Sequence, residues 1–159
     1  YSVLSEYVTC QRGLVFKVLG DIMSCRLVSD RMRDAGHGVI SKGIGAAGER
    51  PSPGYIAGAG GNASLMAITR GLGGHSLSDG IRLVAINPGL IRTERLVTIL
   101  KAQAEESLGD ENRWEELIDP VFTPGELHHI ADLAAFLASD LSGNTTGTVF
   151  TVDGGSSVR

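Results

Sequence analysis

The strongest constraint on the fold is an apolar run at residues 81–86, which reads IRLVAI. It stops abruptly at the tripeptide Asn87-Pro88-Gly89. A strand that carries apolar residues on both sides is buried on both faces, as parallel strands between layers of helices are. The run therefore predicts a central strand of a parallel sheet.

Helical and extended patterns alternate along the rest of the chain. Apolar residues recur at three- and four-residue steps over 11–35 and 62–72, and charged residues surround the apolar positions of 93–118. Residues 123–126 (TPGE) form a capping box with proline at the first helical position, which predicts the start of a last helix. Short apolar runs at 39–41 and 148–152 predict two further strands.

This alternation predicts an α/β fold, with a parallel sheet flanked by helices. A length of 159 residues leaves room for one domain, which would span residues 1–159. Three short strands are few for such a sheet, so we expect partner strands from a missing N-terminal half. The start at Tyr1, without Met, also indicates a truncated or partial sequence.

Composition argues against several classes of partner. The net charge is −4 without a basic block, which disfavours nucleic acid and anionic membranes. No stretch approaches the ~18 apolar residues of a membrane span, and residues 1–4 lack the basic region of a signal peptide. Cys10 and Cys25 are too few for a disulfide framework, so we expect a cytoplasmic protein. The four histidines lack metal-site spacing, and no metal is expected.

The pattern G-x-G-x-x-G occurs once, at residues 43–48. A dinucleotide-binding loop of this type leads directly into a helix and has an acidic residue about 20 positions later. Here Pro51 and Pro53 prevent a helix, and position 68 is Ile68. We therefore expect a glycine-rich loop that does not bind a pyrophosphate.

The segment from Asn87 to Thr93 follows the central strand at its carboxyl end, where open α/β sheets bind ligands. Pro88 fixes one backbone torsion angle, Gly89 lets other backbone approach closely, and Thr93 offers a hydroxyl and a helix cap. A plain strand-to-helix turn explains the same residues. The pattern alone leaves both interpretations open.

Four motifs follow one another in the second half of the chain. They are residues 80–89 with Thr93, residues 130–140, residues 146–148 (TGT) and residues 152–155 (VDGG). In order and spacing they resemble the C-terminal part of the short-chain dehydrogenase/reductase family. Residues 38–40, 62–65 and 69–70 fit the middle of the same template, so the resemblance extends from about residue 11 to the end.

The resemblance implies a Rossmann-like domain that uses NAD or NADP. It also implies a small-molecule alcohol or carbonyl substrate, a lid at 93–118 and a homo-oligomer, either dimer or tetramer, of the full-length protein. The residues expected along the nicotinamide half of the cofactor are Asn87, Pro88, Gly89, Ile91 and Thr93. The family's glycine-rich loop and its adenosine-ribose residue would precede Tyr1, so the N-terminal cofactor-binding half is expected to be missing.

The positions of the family's catalytic residues hold other residues in this chain. The alignment puts Gly45 at the serine position, Gly58 at the tyrosine, Asn62 at the lysine and Lys17 at the asparagine. In the family, the tyrosine exchanges the substrate proton, an ammonium lowers its pKa from about 10, and the serine hydroxyl polarises the carbonyl. Glycine supplies neither group, and Asn62 brings no charge.

Tyr55 and Lys17 offer a way to rebuild the site. Tyr55 lies one helical turn before the position of the missing tyrosine, and Lys17 could bring an ammonium to the same pocket. We therefore predict Tyr55 and Lys17 as catalytic residues. The alternative is that Tyr55 is a loop aromatic and Lys17 a structural cation.

Three functions are open from the sequence. The first is an NAD(P)-dependent oxidoreductase, or the remnant of one. The second is a catalytically inactive dehydrogenase-like subunit or binding protein, since the helices matching 11–35 and 62–72 pack between subunits in related proteins. The third is a partial sequence with no independent function. The missing catalytic residues leave open whether this chain is an enzyme.

Overall fold

Three strands form one parallel sheet in the order β1-β2-β3. The computed structural model describes residues 7–121 and 123–158, so the prediction about residues 1–4 lies outside the described residues. The strands are β1 (Gly38–Gly43), β2 (Ile81–Pro88) and β3 (Val149–Val152). Because β2 is the middle strand, the predicted central position of the apolar run is confirmed.

Helices α2 (Gly20–Ala35), α3 (Ile56–Ser76) and α5 (Leu127–Ala138) pack on this sheet. Helix α1 (Tyr7–Leu14) contacts α3, and α4 (Glu94–Leu108) contacts the 3₁₀ segment that follows it. A π-helical turn (Val15–Leu19) joins α1 to α2 without a break, because Leu14, Leu19 and Gly20 all have right-handed helical torsion angles. Within the described residues, no helix is both long and apolar enough to cross a bilayer.

Both faces of β2 are covered. Val84 and Ile86 are buried with Leu137 of α5, and further apolar side chains of α5 and β3 pack around them. Side chains alternate between the faces of a strand, and the other face of β2 lies against α3, where Leu65 and Met66 are buried. The prediction of an α/β fold with helices on either side of a parallel sheet is confirmed.

The last helix begins later than its capping box predicts. The sequence placed the start at residues 123–126, but α5 begins at Leu127, with Glu126 as the N-cap and His129 as its capping-box partner. The reason is a pair of long-range backbone hydrogen bonds. The Gly125 amide donates to Leu90 (2.8 Å) and the Arg92 amide donates to Gly125 (2.8 Å), which holds residue 125 in extended backbone.

Helix α3 also differs from its prediction, since it begins at Ile56 and not at Asn62. Its first turns are rich in glycine, which disfavours a helix in isolation by about 1 kcal/mol per residue. Packing overrides this preference, since Ala59 and Gly61 in these turns are buried. A Cβ atom on Gly61 would be in van der Waals contact with Cδ of Lys17 at 3.4 Å.

Arg82 is the one charged side chain of β2, and it is 7% exposed. Its guanidinium donates to the carbonyl oxygens of Leu137 (2.8 Å), Ser139 (2.9 Å) and Ser142 (3.2 Å), and to the Ser142 hydroxyl (2.7 Å). These carbonyls belong to the C-terminal end of α5 and the turn after it, where no intrahelical donors remain. The buried cation therefore ties the end of α5 to the sheet.

We predict that Arg82→Leu lowers the free energy of unfolding by about 3 kcal/mol, because several buried acceptors lose a charged donor. Arg95→Leu is the matched control. Arg95 is an exposed residue of α4, so its loss should change stability by less than about 0.5 kcal/mol. Urea denaturation of both variants measures the difference. Equal effects would contradict the structural role of Arg82.

Candidate active site

The ends of β2 and β3 meet at Gly89 and Asp153. The Gly89 amide donates to the Val152 carbonyl (3.0 Å). A Cβ atom on Gly89 would lie 2.5 Å from Cβ and 2.8 Å from Cα of Asp153, closer than side chains approach. Only glycine at position 89 therefore allows the two strand ends to come together.

Asp153 organises the turn that follows β3. Its Oδ1 accepts from the Gly155 amide (2.8 Å), and its Oδ2 accepts from the Ser157 amide (2.7 Å) and the Ser156 hydroxyl (3.1 Å). Partial burial raises the pKa of the Asp153 carboxyl, but these hydrogen bonds outweigh it and hold the pKa below its ordinary value. The ionised carboxylate thus fixes Ser156 and Ser157 in place.

A cavity of about 370 Å³ opens at these strand ends, and we call it the strand-end cavity. It is lined by Ile44, Gly45, Ala46, Ala47, Arg50, Tyr55, Asn62, Pro88, Gly89, Leu90, Ser156 and Ser157. Its volume falls within the range of small-molecule sites. Parallel strands place ligands at this edge of the sheet.

The side chain of Asn87 holds the backbone of Gly45, which lines the cavity, in place. Its side chain is fully buried, where Oδ1 accepts from the Gly45 amide (3.3 Å) and Nδ2 donates to Oε1 of Glu49 (3.1 Å). Glu49 also accepts from the hydroxyls of Thr151 (2.8 Å) and Ser157 (3.3 Å). The side chain of Asn87 is thus engaged inside the protein, and its role as a cofactor contact stays a prediction.

Tyr55 lies over Gly58, the position aligned with the family's tyrosine. A Cβ atom on Gly58 would lie 2.1 Å from Cζ of Tyr55 and 2.5 Å from Cε1. The phenol ring therefore occupies the space that a side chain at position 58 would need. Tyr55 is 52% exposed and lines the strand-end cavity.

Lys17 and Asn62 are in direct contact. The ammonium of Lys17, in the π-helical turn, donates to Oδ1 of Asn62 on α3. Under the alignment expected from the family resemblance, the lysine and the asparagine would have exchanged positions. Because the two side chains meet, the ammonium still reaches this region, although it comes from a different helix.

A second cavity, of about 280 Å³, lies where the helix that carries Lys17 crosses α3, and we call it the helix cavity. Lys17, Tyr55, Gly58 and Gly61 line it. Tyr55 belongs to both cavities, so its ring separates them. The structure thus brings the two predicted catalytic residues to one place, while their catalytic roles stay predictions.

The five predicted cofactor residues occupy different environments. Pro88 and Gly89 line the strand-end cavity. Thr93 is the N-cap of α4, where its hydroxyl accepts from the Leu96 amide (3.2 Å), and Ile91 forms the bridge to Gly125. Neither Ile91 nor Thr93 lines the strand-end cavity.

Sequence reasoning missed several residues that line the strand-end cavity. Asn62 was noted only for the charge it lacks, and Arg50, Leu90, Ser156 and Ser157 were not considered. The VDGG motif contained a signal for the two serines, because the carboxylate of Asp153 binds the residues that follow it. Among residues 7–121 and 123–158, no cluster of three or more potential metal ligands occurs.

Comparison with known proteins identifies the family. A family model described as enoyl-(acyl carrier protein) reductase matches residues 10–157. The 3-oxoacyl-(acyl-carrier-protein) reductase FabG of Chlamydia trachomatis is 34% identical over 153 residues, which are 95% of this chain and 55% of that protein. A probable short-chain type dehydrogenase/reductase of Bradyrhizobium diazoefficiens is 34% identical over 153 residues, 94% of this chain and 51% of that protein. The chain belongs to the short-chain dehydrogenase/reductase family.

In fold, this short-chain dehydrogenase/reductase chain is similar to the L-sorbose reductase of Gluconobacter frateurii, solved with NADPH and L-sorbose. The TM-score is 0.86 at 22% identity, over 97% of this chain and 60% of that chain. The likeness confirms the Rossmann-like fold. The chain spans about half the length of the curated relatives it matches.

The glycine-rich segment at 43–48 is not a dinucleotide-binding loop of the Rossmann type. β1 runs through Gly43, a short 3₁₀ turn covers Ala46–Gly48, and the next α-helix begins only at Ile56. No helix N-terminus therefore follows the loop to bind a pyrophosphate. In this short-chain dehydrogenase/reductase the segment forms one wall of the strand-end cavity instead.

We predict that Gly89→Ala destabilises the protein by about 2 kcal/mol, because the new Cβ overlaps Asp153. Gly71→Ala is the matched control. Gly71 lies on the exposed side of α3 with nothing within 4 Å of a built Cβ, so alanine should stabilise the helix by about 0.5–1 kcal/mol. Thermal melting of both variants measures the two shifts. A neutral Gly89→Ala would contradict the close approach.

Proposed function

We propose that the protein carrying this chain is an NAD(P)-dependent oxidoreductase that interconverts a small alcohol and its carbonyl. One observation carries this proposal: the phenol ring of Tyr55 fills the space above Gly58, at the edge of a cavity of ligand size and of a second cavity that Lys17 also lines. We assign to Tyr55 the exchange of the substrate proton. The aligned position holds glycine, and the phenol ring of Tyr55 packs directly against it.

The proton chemistry follows from the two cavities. The Tyr55 hydroxyl donates its proton to the carbonyl oxygen during reduction and takes it back during oxidation. Lys17 lines the helix cavity beside the same ring, and its positive charge stabilises the phenolate that remains after proton transfer. The half-exposed position of Tyr55 lets the phenol recover its proton from solvent.

The strand-end cavity fits the nicotinamide half of NAD or NADP. The backbone of Gly45 and Gly89 borders it without side chains, Ile44 and Leu90 offer apolar contact, and Ser157 offers a hydroxyl. When bound, the nicotinamide supplies or accepts the hydride. Proximity of the hydride carrier and the substrate carbon in one closed site is worth several orders of magnitude in rate.

We propose Pro88 and Gly89 as the cofactor residues that line the cavity. Asn87 would act from beneath them by holding Gly45. Ile91 and Thr93 follow Gly89 in the turn that leads into α4. We propose that they contact the cofactor outside the strand-end cavity. NAD and NADP differ only in the adenosine half of the cofactor. The strand-end cavity is proposed for the nicotinamide half and therefore does not distinguish between them.

Substrate, assembly and location are part of the same proposal. The proposed substrate is a small polyol or ketone, in line with the relatives and neighbours that are named for acting on such molecules. We propose a homo-oligomer, dimer or tetramer, of the full-length protein. We also propose a cytoplasmic location, because two cysteines are too few for a disulfide framework.

We predict that Tyr55→Phe lowers kcat by at least about 100-fold, because general acid–base catalysis contributes about 10²–10⁴ in rate. The measurement is oxidation of NADH and of NADPH with L-sorbose, cyclohexanone and a 3-oxoacyl thioester as substrates. The control is Ser78→Ala, which also removes one hydroxyl but lies beyond the far end of α3, and should leave kcat unchanged. Full activity of Tyr55→Phe would refute the proposal.

A catalytically inactive subunit or binding protein is the second candidate, and exposed apolar side chains favour it. Phe16 is 85% exposed, Leu27 64% and Met23 53%, all on the helix that runs from α1 to α2. Apolar patches of this kind mark contacts with other proteins. An assembly role alone would explain this helix but would not need the contact between Lys17 and Asn62.

Titration with NADH and NADPH separates the two candidates. The oxidoreductase should bind one of them with a Kd between about 1 μM and 1 mM, the range common for enzyme substrates. ADP-ribose, which lacks the nicotinamide, is the matched control ligand and should bind more weakly because it leaves the strand-end cavity empty. Calorimetry measures all three. Absence of binding would favour the inactive subunit.

A further inference from the structure

We propose that Asn62 is a catalytic residue whose Nδ2 group donates a hydrogen bond to the carbonyl oxygen of the substrate. The inference rests on the proposed oxidoreductase function and adds a residue to it. The position aligned with the family's serine is Gly45, which has no hydroxyl to offer. The side-chain amide of Asn62 provides a donor from across the strand-end cavity.

The orientation of the Asn62 amide follows from its contact with Lys17. An ammonium can only donate hydrogen bonds, so the atom that faces it must be the acceptor Oδ1. The amide plane then directs Nδ2 away from Lys17. This removes the ambiguity between oxygen and nitrogen that asparagine side chains otherwise carry.

Nδ2 points at the gap left by Gly45. A Cβ atom on Gly45 would lie 3.0 Å from Nδ2 and 3.7 Å from Cγ of Asn62. The backbone of Gly45 has a φ of +141°, a conformation that side-chain-bearing residues rarely adopt. The position is therefore kept free of a side chain, and the amide of Asn62 faces the open space.

The Nδ2 donor is available to a ligand. Asn62 is 3% exposed, and within the described part of the chain its Nδ2 makes no hydrogen bond. Among the same residues, no side-chain nitrogen or oxygen is both fully enclosed and without a partner. Nδ2 must therefore be open to the strand-end cavity that Asn62 lines. A buried polar group without a partner favours an acceptor there.

The chemistry needs a donor of this kind. A bound reduced nicotinamide would supply hydride to the carbonyl carbon. Negative charge would then develop on the carbonyl oxygen, which would take the proton of Tyr55. Asn62 gives up no proton and stabilises the oxygen only by its hydrogen bond. Removing one such donor from a buried site costs about 10²–10³ in kcat. Lys17 acts on this donor as a positioning residue.

The first test is Asn62→Asp. Aspartate has the same size and gives Lys17 an acceptor at least as strong, but it has no proton to donate to the carbonyl. We expect kcat to fall by about 100-fold or more, with an unchanged Kd for NADH or NADPH. If Asn62 only held Lys17, this variant would keep full activity, and that result would overturn the inference. Asn112→Asp, on an exposed turn, is the matched control.

The second test observes the amide directly and does not depend on turnover. Labelling with ¹⁵N-asparagine gives four side-chain amide signals, from Asn62, Asn87, Asn112 and Asn144. The Asn62 signal is the one that disappears in Asn62→Asp. Cyclohexanone is the probe, and its carbonyl should shift the Asn62 protons downfield while the Asn112 signal stays in place. An Asn62 signal that does not respond at saturation would overturn the inference.

The two tests distinguish failure of the inference from failure of the proposed function. Turnover by the wild-type protein together with an active Asn62→Asp would remove Asn62 from the mechanism and leave the oxidoreductase intact. A wild-type protein without turnover on any substrate would refute the proposed function and with it the catalytic role. A downfield shift with cyclohexanone in that protein would still support the donor itself, as part of a carbonyl-binding site.

Discussion

The buried side chain of Asn87 holds the site together, because it joins the ends of all three strands. Its Oδ1 accepts from Gly45, which follows β1, and its Nδ2 donates to Glu49. Glu49 in turn accepts from Thr151 on β3 and from Ser157 in the turn after it. Both ends of the amide are satisfied without water, in a position with no exposed surface. A buried network of this kind loses much of its stability when one hydrogen bond is missing. The network therefore holds the loops at the three strand ends in a single conformation relative to one another.

Glycine controls how closely the elements around this network approach. Gly89 makes room for Asp153, and Gly73 makes room for the backbone of Gly147, which would lie 2.3 Å from a built Cβ. At each of these positions, a side chain would overlap the neighbouring element. The same device operates in the site, where Gly45 and Gly58 leave room for Asn62 and Tyr55. In the site, the absence of a side chain at a glycine position therefore leaves space for the side chain of a residue elsewhere in the chain.

The sequence predicted the sheet well because its signals are local. The apolar composition of residues 81–86 alone predicts that this strand is buried. The order of helices and strands likewise follows from local hydrophobic patterns. The start of α5 could not be predicted, since the pairing of Gly125 with Leu90 and Arg92 joins residues more than 30 positions apart. The same limit applies to the site. Tyr55 and Lys17 could be named from residue type and from their place in the family resemblance, but the sequence does not show that the ring lies over Gly58. The proposed donor role of Asn62 was missed because the sequence alone shows only that Asn62 lacks the charge of a lysine. The contacts of its amide with Lys17 and Gly45 are visible only in the structure.

The contact between Lys17 and Asn62 is consistent with the proposed catalytic site. A catalytic site for carbonyl reduction needs a positive charge near the phenol and a neutral donor near the oxygen, and physics does not specify which helix supplies either. Here the ammonium comes from the π-helical turn and the amide from α3, and the two side chains touch. The contact orients the buried amide of Asn62 so that Nδ2 faces the cavity, which is the arrangement that the proposed chemistry requires.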